Sequence, residues 1–207
     1  MGPFKHYQTL FNYCDPELRE ESFAGVPENG GHDSVALDPL TPGSVYTGTI
    51  GGDETGKLKT ARGVRGAMKD SIKREFSYLA SKKVEFGTGR EIDNSDFHVE
   101  SINLLNNGVE AEIGVAFFVA PLSALRQTPA TVATLILGDM SIQGNIKEAR
   151  SLTEPLQLAK DNGVKRAVVP IENKRQFLEV SGDIMEHVDP VFYGDPKAAA
   201  FKALGMN

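Results

Sequence analysis

The histidines and the cysteine of this sequence could in principle bind a metal ion or act as catalytic groups, and their spacing shows whether they can act together. The histidines His6, His32, His98 and His187 are far apart, and no two of them have the spacing of zinc ligands. Cys14 is the only cysteine, and it is distant from every histidine except His6. The sequence therefore indicates neither a metal site nor a cysteine nucleophile.

Residues 51–58, GGDETGKL, imitate a phosphate-binding loop, with Gly51 followed after four residues by Gly56 and Lys57. Such a loop needs a serine or threonine hydroxyl next to hold magnesium, and this chain has Leu58 there. Two acidic residues within the stretch would also repel phosphate. We therefore predict the turn of a β-hairpin and no nucleotide site.

Positive charge is concentrated between Lys57 and Lys83, a stretch that contains nine basic residues and two acidic ones. That stretch carries a charge of +7, so the rest of a chain with net charge −6 sums to −13. A basic stripe is formed by Arg62, Arg65, Lys69 and Lys73. The stripe is a candidate surface for an acidic partner such as nucleic acid. The simpler interpretation is a solvated helix face whose charges meet acids elsewhere in the fold or on a neighbouring subunit.

Hydrophobic periodicity predicts the elements that would position these residues. Apolar residues recur at intervals of three and four over 64–83, which predicts one amphipathic helix. The apolar residues are Val64, Met68, Ile72, Phe76 and Leu79. Further helices are predicted at 113–126, 153–162, 172–180 and 195–204, and strands at 44–50, 57–62, 96–105, 131–138, 165–171 and 187–193. The alternation predicts an α/β or α+β fold.

The N-terminal region differs in composition from the rest of the chain. Residues 1–42 are rich in Gly, Pro, Asn and Asp and have no long periodicity, which predicts loops with one short strand at most. We therefore divide the chain into a connector at 1–62, containing the short hairpin, and a main domain at 63–207.

The composition predicts a soluble protein. Apolar residues make up 40 % and charged residues 24 % of the 207 residues, as in ordinary globular proteins. The longest apolar run, 113–125, contains Pro121 and is too short to span a bilayer. The mixed, polar start of the chain does not have the pattern of a leader peptide, and the single cysteine favours the cytoplasm.

Residues 96–173 resemble the proteolytic domain of Lon, an ATP-dependent serine-lysine protease. The similar stretches are DFHVE (96–100), AEIGVAFFVAPLSAL (111–125), GDMSIQG (138–144), RSLTE (150–154) and NGVKRAVVPIEN (162–173). They correspond in order to the family's opening strand, nucleophile element with its helix, glycine-bounded turn, lysine element and following strand. No gap is needed, so the resemblance implies a Lon proteolytic-domain fold.

The same register places Glu112 at the position of the family's serine and Thr153 at that of its lysine. A serine attacks a peptide carbonyl only when a nearby amine of lowered pKa removes its proton. The resemblance therefore implies a domain without the catalytic dyad. Two alternatives remain open: a peptidase with a relocated dyad of Ser151 and Lys147, and a peptide-binding adaptor that keeps the cleft and would use Glu112.

A narrower resemblance covers the whole chain. FAGVPENGG, LTPGSVYT, GDMSIQGNI, SLTEPLQLAKDNG and VSGDIMEHVDPVFYGDP look like the C-terminal part of the BrxL family of bacteriophage exclusion (BREX) systems. That resemblance implies an AAA+ ATPase domain ahead of this region, where ATP and magnesium would bind, self-association in a ring, and action on DNA. It implies no cofactor or metal in this chain itself, which would be a C-terminal portion or a gene fragment.

Overall fold

In the computed structural model, the described residues are 6–11, 32–35, 44–50, 57–60, 66–93, 97–103, 114–126, 128, 130–131, 133–161 and 163–206. The strands are β1 His6–Phe11, β2 His32–Val35, β3 Ser44–Ile50, β4 Leu58–Thr60, β5 Phe97–Asn103, β6 Thr134–Ile136, β7 Asp139–Met140, β8 Ile146–Lys147, β9 Arg166–Pro170 and β10 Asp189–Tyr193. The α-helices are α1 Gly66–Ser81, α2 Gly89–Asp93, α3 Gly114–Arg126, α4 Thr153–Asp161, α5 Lys174–Phe177, α6 Gly182–Met185 and α7 Pro196–Ala203. A 3₁₀ turn, Ile171–Asn173, precedes α5.

Eight of these strands form one mixed sheet in the order β10-β9-β6-β2-β1-β3-β5-β4, and β7 and β8 form a separate antiparallel hairpin. The pairs are parallel from β10 to β1, antiparallel from β1 to β5, and parallel again between β5 and β4. Helices and a largely parallel sheet confirm the predicted mixed α/β class.

The predicted hairpin between β3 and β4 is wrong. β5 lies between these two strands, antiparallel to β3 and parallel to β4. β5 is a longer strand than β4, and its seven residues pair with all seven of β3, which leaves β4 only the outer edge. The turn itself, at 51–56, lies outside the described residues.

The region at 1–42 contributes two strands, where at most one was predicted. β1 and β2 pair in parallel, and β1 also pairs with β3. The division of the chain at 62/63 stays a prediction, although strands on both sides of it belong to the same sheet.

Alternate residues of the central strands face two hydrophobic clusters. Ile136 and Val168 pack with α1, α3 and α7, whereas Leu135, Ala167 and Val169 pack with α4 and the segment that follows β9. This alternation is the strand period of two, and it places helices on both faces of the sheet. The helix predicted at 113–126 is observed as α3, and its residues from Val115 to Ala120 are buried, as expected for a central helix.

The helix predicted at 64–83 is confirmed as α1, which begins two residues later and ends two residues earlier. Ile72 and Leu79 of the predicted apolar face are buried, and Phe76 packs against the same core. Phe76 also meets Phe97 of β5 edge-on, with 4.8 Å between ring centroids. α1 therefore lies against the core through the face that its periodicity indicated.

The strand β10 lies at one edge of the eight-stranded sheet. The backbone N–H of Asp189 donates to Lys165 O, so odd-numbered residues of β10 point their backbone groups inward and Pro190 and Phe192 point theirs outward. Pro190 has no N–H, and the ammonium of Lys202 on α7 donates to the carbonyl of Phe192. Of the backbone N–H and C=O groups that Pro190 and Phe192 direct outward, half are therefore missing or already hydrogen-bonded.

Among the helices that the structure describes, none combines the length and the apolar character needed to cross a bilayer.

Candidate functional site

The first turn of α3 is the structural centre of the candidate site. The N–H of Val115 donates to Gly138 O at 3.2 Å, which joins the start of α3 to the second residue after β6. A Cβ atom on Gly114 would lie 2.1 Å from Asp139 Oδ1, 2.5 Å from Glu75 Oε1 and 2.8 Å from Ser71 Oγ. Only glycine fits there, because these three oxygens occupy the space that a side chain would need.

Two elements, α1 and β7, bring these three oxygens together. Ser71 and Glu75 lie one turn apart on α1, and Asp139 begins β7 immediately after Gly138. Gly138 has φ of +105°, and a Cβ there would meet the Tyr193 hydroxyl oxygen at 2.3 Å. The chain can therefore turn from β6 into the hairpin at this point only through a glycine.

Arg74 fixes the carboxylate of Asp139. Its Nη2 donates to Oδ1 at 2.8 Å and to Oδ2 at 2.9 Å, and its Nε donates to Met140 O at 2.8 Å. The hydroxyl of Ser71 donates to Asp139 Oδ1 at 3.3 Å. Since the charge of Asp139 is compensated by a partly buried guanidinium, this carboxylate is well satisfied.

Glu75 is not satisfied in the same way. Its side chain is 1 % exposed, and among the described residues neither of its oxygens accepts a hydrogen bond. Arg74 Nε lies 3.4 Å from Glu75 Oε1, but its single hydrogen is directed to Met140 O. Burial, and then the negative charge of Asp139, raise the pKa of Glu75 to about 9, so this carboxyl group is neutral at pH 7.

The β7–β8 hairpin lies over the middle of α1, between Ser71 and Tyr78. Gly144, near the tip of the hairpin, has φ of +88°, and a Cβ there would lie 2.5 Å from the ring of Tyr78. Lys147 Nζ lies 3.7 Å from Asp139 Oδ2 at the open end of the hairpin. Arg74, Tyr78 and Asp139 therefore attach the hairpin to α1 at both of its ends.

A buried asparagine holds the segment that leads into α4. Asn173 Oδ1 accepts from Ala149 N at 2.9 Å, and Asn173 Nδ2 donates to Ala149 O at 2.8 Å. This pair of bonds imitates the pairing of two strands and fixes the chain four residues before α4. Leu152 is buried next to it, and Thr153, the first residue of α4, is exposed.

The residues matched to the family dyad are only partly described. Glu112 lies outside the described residues, so its distance from Thr153 stays untested. For the alternative dyad, Ser151 is half-buried, whereas the Lys147 side chain is 57 % exposed and its amine faces Asp139. An exposed ammonium beside a carboxylate has neither the burial nor the cationic neighbour that makes a lysine a base at neutral pH.

Half of the basic stripe is described. Lys69 and Lys73 lie four residues apart on α1 and are exposed, as are many residues on that side of the helix. Arg62 and Arg65 lie outside the described residues, as does Cys14. The structure therefore places two of the four predicted basic residues on one solvent-facing surface.

Sequence reasoning missed Ser71, Arg74, Glu75 and Asp139. One signal was present: Glu75 falls between Ile72, Phe76 and Leu79 on the apolar face of α1, where a carboxylate is out of place. Its partner Asp139 is distant in sequence and could be assigned only once the fold had joined β7 to α1.

Comparisons with known proteins agree with the geometry. Residues 43–196 match the sequence model of the Lon protease (S16) C-terminal proteolytic domain. Over its whole length the chain is 27 % identical to a Lon-like protease BrxL of Escherichia coli O9:H4 and 26 % identical to one of Bacillus cereus. It is 25 % identical to a Lon protease of Brucella suis over 66 % of the chain. The chain spans about a third of the BrxL relatives, 32 % and 33 % of their lengths.

Proposed function

Because this chain belongs to the family of Lon C-terminal proteolytic domains, we propose that it is a Lon-fold module without peptidase activity that acts as a structural part of a phage-defence assembly. Its task would be to pack against neighbouring copies in a ring and against an AAA+ ATPase domain. ATP and magnesium would bind in that ATPase domain.

The observation that carries this proposal is the side chain at the family's lysine position. Thr153 is exposed at the first turn of α4 and has no basic group to offer a nucleophile. At the other half of the site, Asp139 and Glu75 place carboxyl oxygens against Gly114, the residue that matches the family's glycine two positions after the serine. Peptide acylation requires a hydroxyl and an amine of lowered pKa, and the described residues around Gly114 supply carboxyl groups instead.

The defence context rests on the relatives. Two proteins similar to the whole chain carry the name Lon-like protease BrxL, and the phage-defence context is what the resemblance to the BrxL family of BREX systems implies. Since the chain spans only about a third of their lengths, the ring, the ATPase partner and the action on DNA belong to the proposal.

The experiment is a cleavage assay on a short fluorogenic peptide and on unfolded casein, with an active Lon protease as the positive control. We expect no turnover by the 207-residue chain, and no change in the variants Ser151→Ala and Lys147→Ala. Cleavage that either substitution removes would support a relocated dyad and refute the proposal. Sedimentation velocity over a range of concentrations measures self-association, and a chain that stays monomeric at every concentration would contradict the proposed role in ring packing.

A second candidate function, nucleic-acid binding, is favoured by the exposed pair Lys69 and Lys73 on α1. Phosphate contacts of this kind would be indifferent to base sequence and would weaken steeply with salt. We expect Lys69→Glu with Lys73→Glu to weaken binding of a duplex in fluorescence anisotropy and to reduce the slope of log K against log salt by about 2.

The matched control for that test reverses Lys174 and Lys197, two exposed lysines outside the stripe. Equal losses of DNA binding in both double variants would indicate a general charge effect and would refute a role for the stripe.

A further inference from the structure

Glu75 has the most deeply buried carboxyl group in the part of the chain that the structure describes. Its carboxyl oxygen Oε1 and the Asp139 oxygen Oδ1 lie within 2.5 Å of one point, the position of a Cβ on Gly114. The two oxygens are therefore less than about 5 Å apart. Two ionised carboxylates at such a separation repel each other strongly, and a hydrogen between them removes the repulsion.

Among the described residues, no donor near the pair can supply the hydrogen between the two carboxyl groups, so Glu75 itself must carry it. Ser71 donates to Asp139, Arg74 donates to Asp139, Met140 and Ser71, and the Lys147 amine lies near the other oxygen of Asp139. Among the described residues none of these groups donates to Glu75. A protonated Glu75 carboxyl can donate to Asp139, which has lone pairs in excess.

This pair lies where a two-stranded hairpin with a five-residue connection is attached to α1. The hairpin of β7 and β8 touches α1 through Asp139 and Met140 at one end and through Gly144 against Tyr78 at the other. A second negative charge at Glu75 would act directly on the Asp139 end of that attachment.

We infer that Glu75 and Asp139 share one proton, and that this proton latches the β7–β8 hairpin onto α1 over the first turn of α3. When the proton leaves, the two carboxylates repel and the hairpin moves away from α1, which exposes the first turn of α3 at Gly114. The latch is a property of the fold and is independent of the proposed function.

Elements α1, α3, β7 and β8 pack around the pair. α1 brings Ser71 and Arg74, β7 brings Asp139, and β8 brings Lys147. The first two turns of α3 carry no titratable side chain. The high pKa of Glu75, which arises from burial and from Asp139, agrees with a proton that is held at pH 7 and lost in mildly alkaline solution.

The test is a nuclear magnetic resonance titration from pH 4 to pH 10 with carbon-13 in the glutamate carboxyl groups and in the methyl groups of Met, Ile and Leu. We expect one carboxyl signal to titrate several pH units above the ordinary 4.5 and to be absent in Glu75→Gln. The methyl signals of Met140, Ile142 and Ile146 should shift with the same midpoint, while that of Ile184, in the second hydrophobic cluster, should not.

A second variant keeps the inference testable if Glu75→Gln does not fold. Asp139→Asn removes the charge that repels an ionised Glu75, so the high midpoint should fall by about one pH unit or more, a tenfold change in proton affinity. A Glu75 carboxyl that titrates near 4.5 in the unchanged protein would overturn the inference. The inference would also be overturned if the methyl signals of the hairpin did not shift at the pH where Glu75 titrates. It would be overturned as well if they shifted by the same amount in Glu75→Gln.

Discussion

Replacement of Glu75 by glutamine should make the protein more stable at neutral pH, although it removes a group from the core. The cause is the proton. Folding raises the pKa of Glu75 from 4.5 to about 9, so between these two values the native state holds a proton that the unfolded chain releases. Stability therefore falls as pH rises through this window, and it is constant below about 4.5 and above about 9.

The magnitude follows from the same two values. At pH 7 the pH is about 2.5 units above the pKa of Glu75 in the unfolded chain, and each unit is worth about 1.4 kcal/mol. Keeping the carboxyl group protonated in the native state therefore lowers the free energy of unfolding by about 3 kcal/mol. Glutamine is neutral at every pH and still has an N–H to donate to Asp139. We expect its advantage over the unchanged protein to be near zero at pH 4 and to reach at most about 3 kcal/mol at pH 7.

The assay is urea unfolding at several values of pH between 4 and 8, followed by circular dichroism. An unchanged m-value would show that the midpoint reports stability and not a change in the exposed surface. Glu179→Gln, at an exposed carboxylate, is the matched control and should leave the pH dependence as it is. The reasoning is refuted if Glu75→Gln keeps the same slope of stability against pH as the unchanged protein.

Three further substitutions test the packing around the site by thermal unfolding. Gly114→Ala places a methyl group 2.1 Å from a carboxylate oxygen and should cost about 3 kcal/mol or more, while an unaltered melting temperature would show that the first turn of α3 has room. Asn173→Ala removes both bonds to buried Ala149 and should cost about 2–4 kcal/mol; a loss below about 1 kcal/mol would mean that the segment before α4 is held by other contacts. Tyr193→Phe removes the 2.6 Å hydrogen bond to the Leu137 carbonyl and should lower the melting temperature by a few degrees, about 1–3 kcal/mol, with equal stability as the contrary result.

Local signals were sufficient for most of the individual elements. The apolar period over 64–83 led to α1 within two residues at each end, and Gly163, with φ of +73°, ends α4 as its position after 153–162 indicated. Asp195 caps α7 by accepting from Ala198 N, as the sequence DPKAAAF suggested. Such features depend on neighbours in sequence, so the residues themselves carry the information.

Pairings between distant segments could not be predicted in the same way. β5 lies between β3 and β4 although it follows both of them in the sequence. The turn residues near position 51 contain no information about a strand that lies so far along the chain. The side chains around Gly114 come from distant parts of the sequence: Arg74 and Asp139, which form an ion pair, are 65 residues apart. The family resemblance gave the general fold and the two substituted dyad positions, but it contained nothing that pointed to Glu75.

The free side of β10 limits how copies of this protein can join. A neighbouring strand needs a run of alternating donors and acceptors to add to a sheet, and here Pro190 supplies no donor while the ammonium of Lys202 covers the Phe192 carbonyl. These two residues therefore disfavour the addition of a further strand along this edge. If copies of this protein meet at this edge, as proposed, we expect side chains to make the contact, so single substitutions would change its strength without altering the sheet.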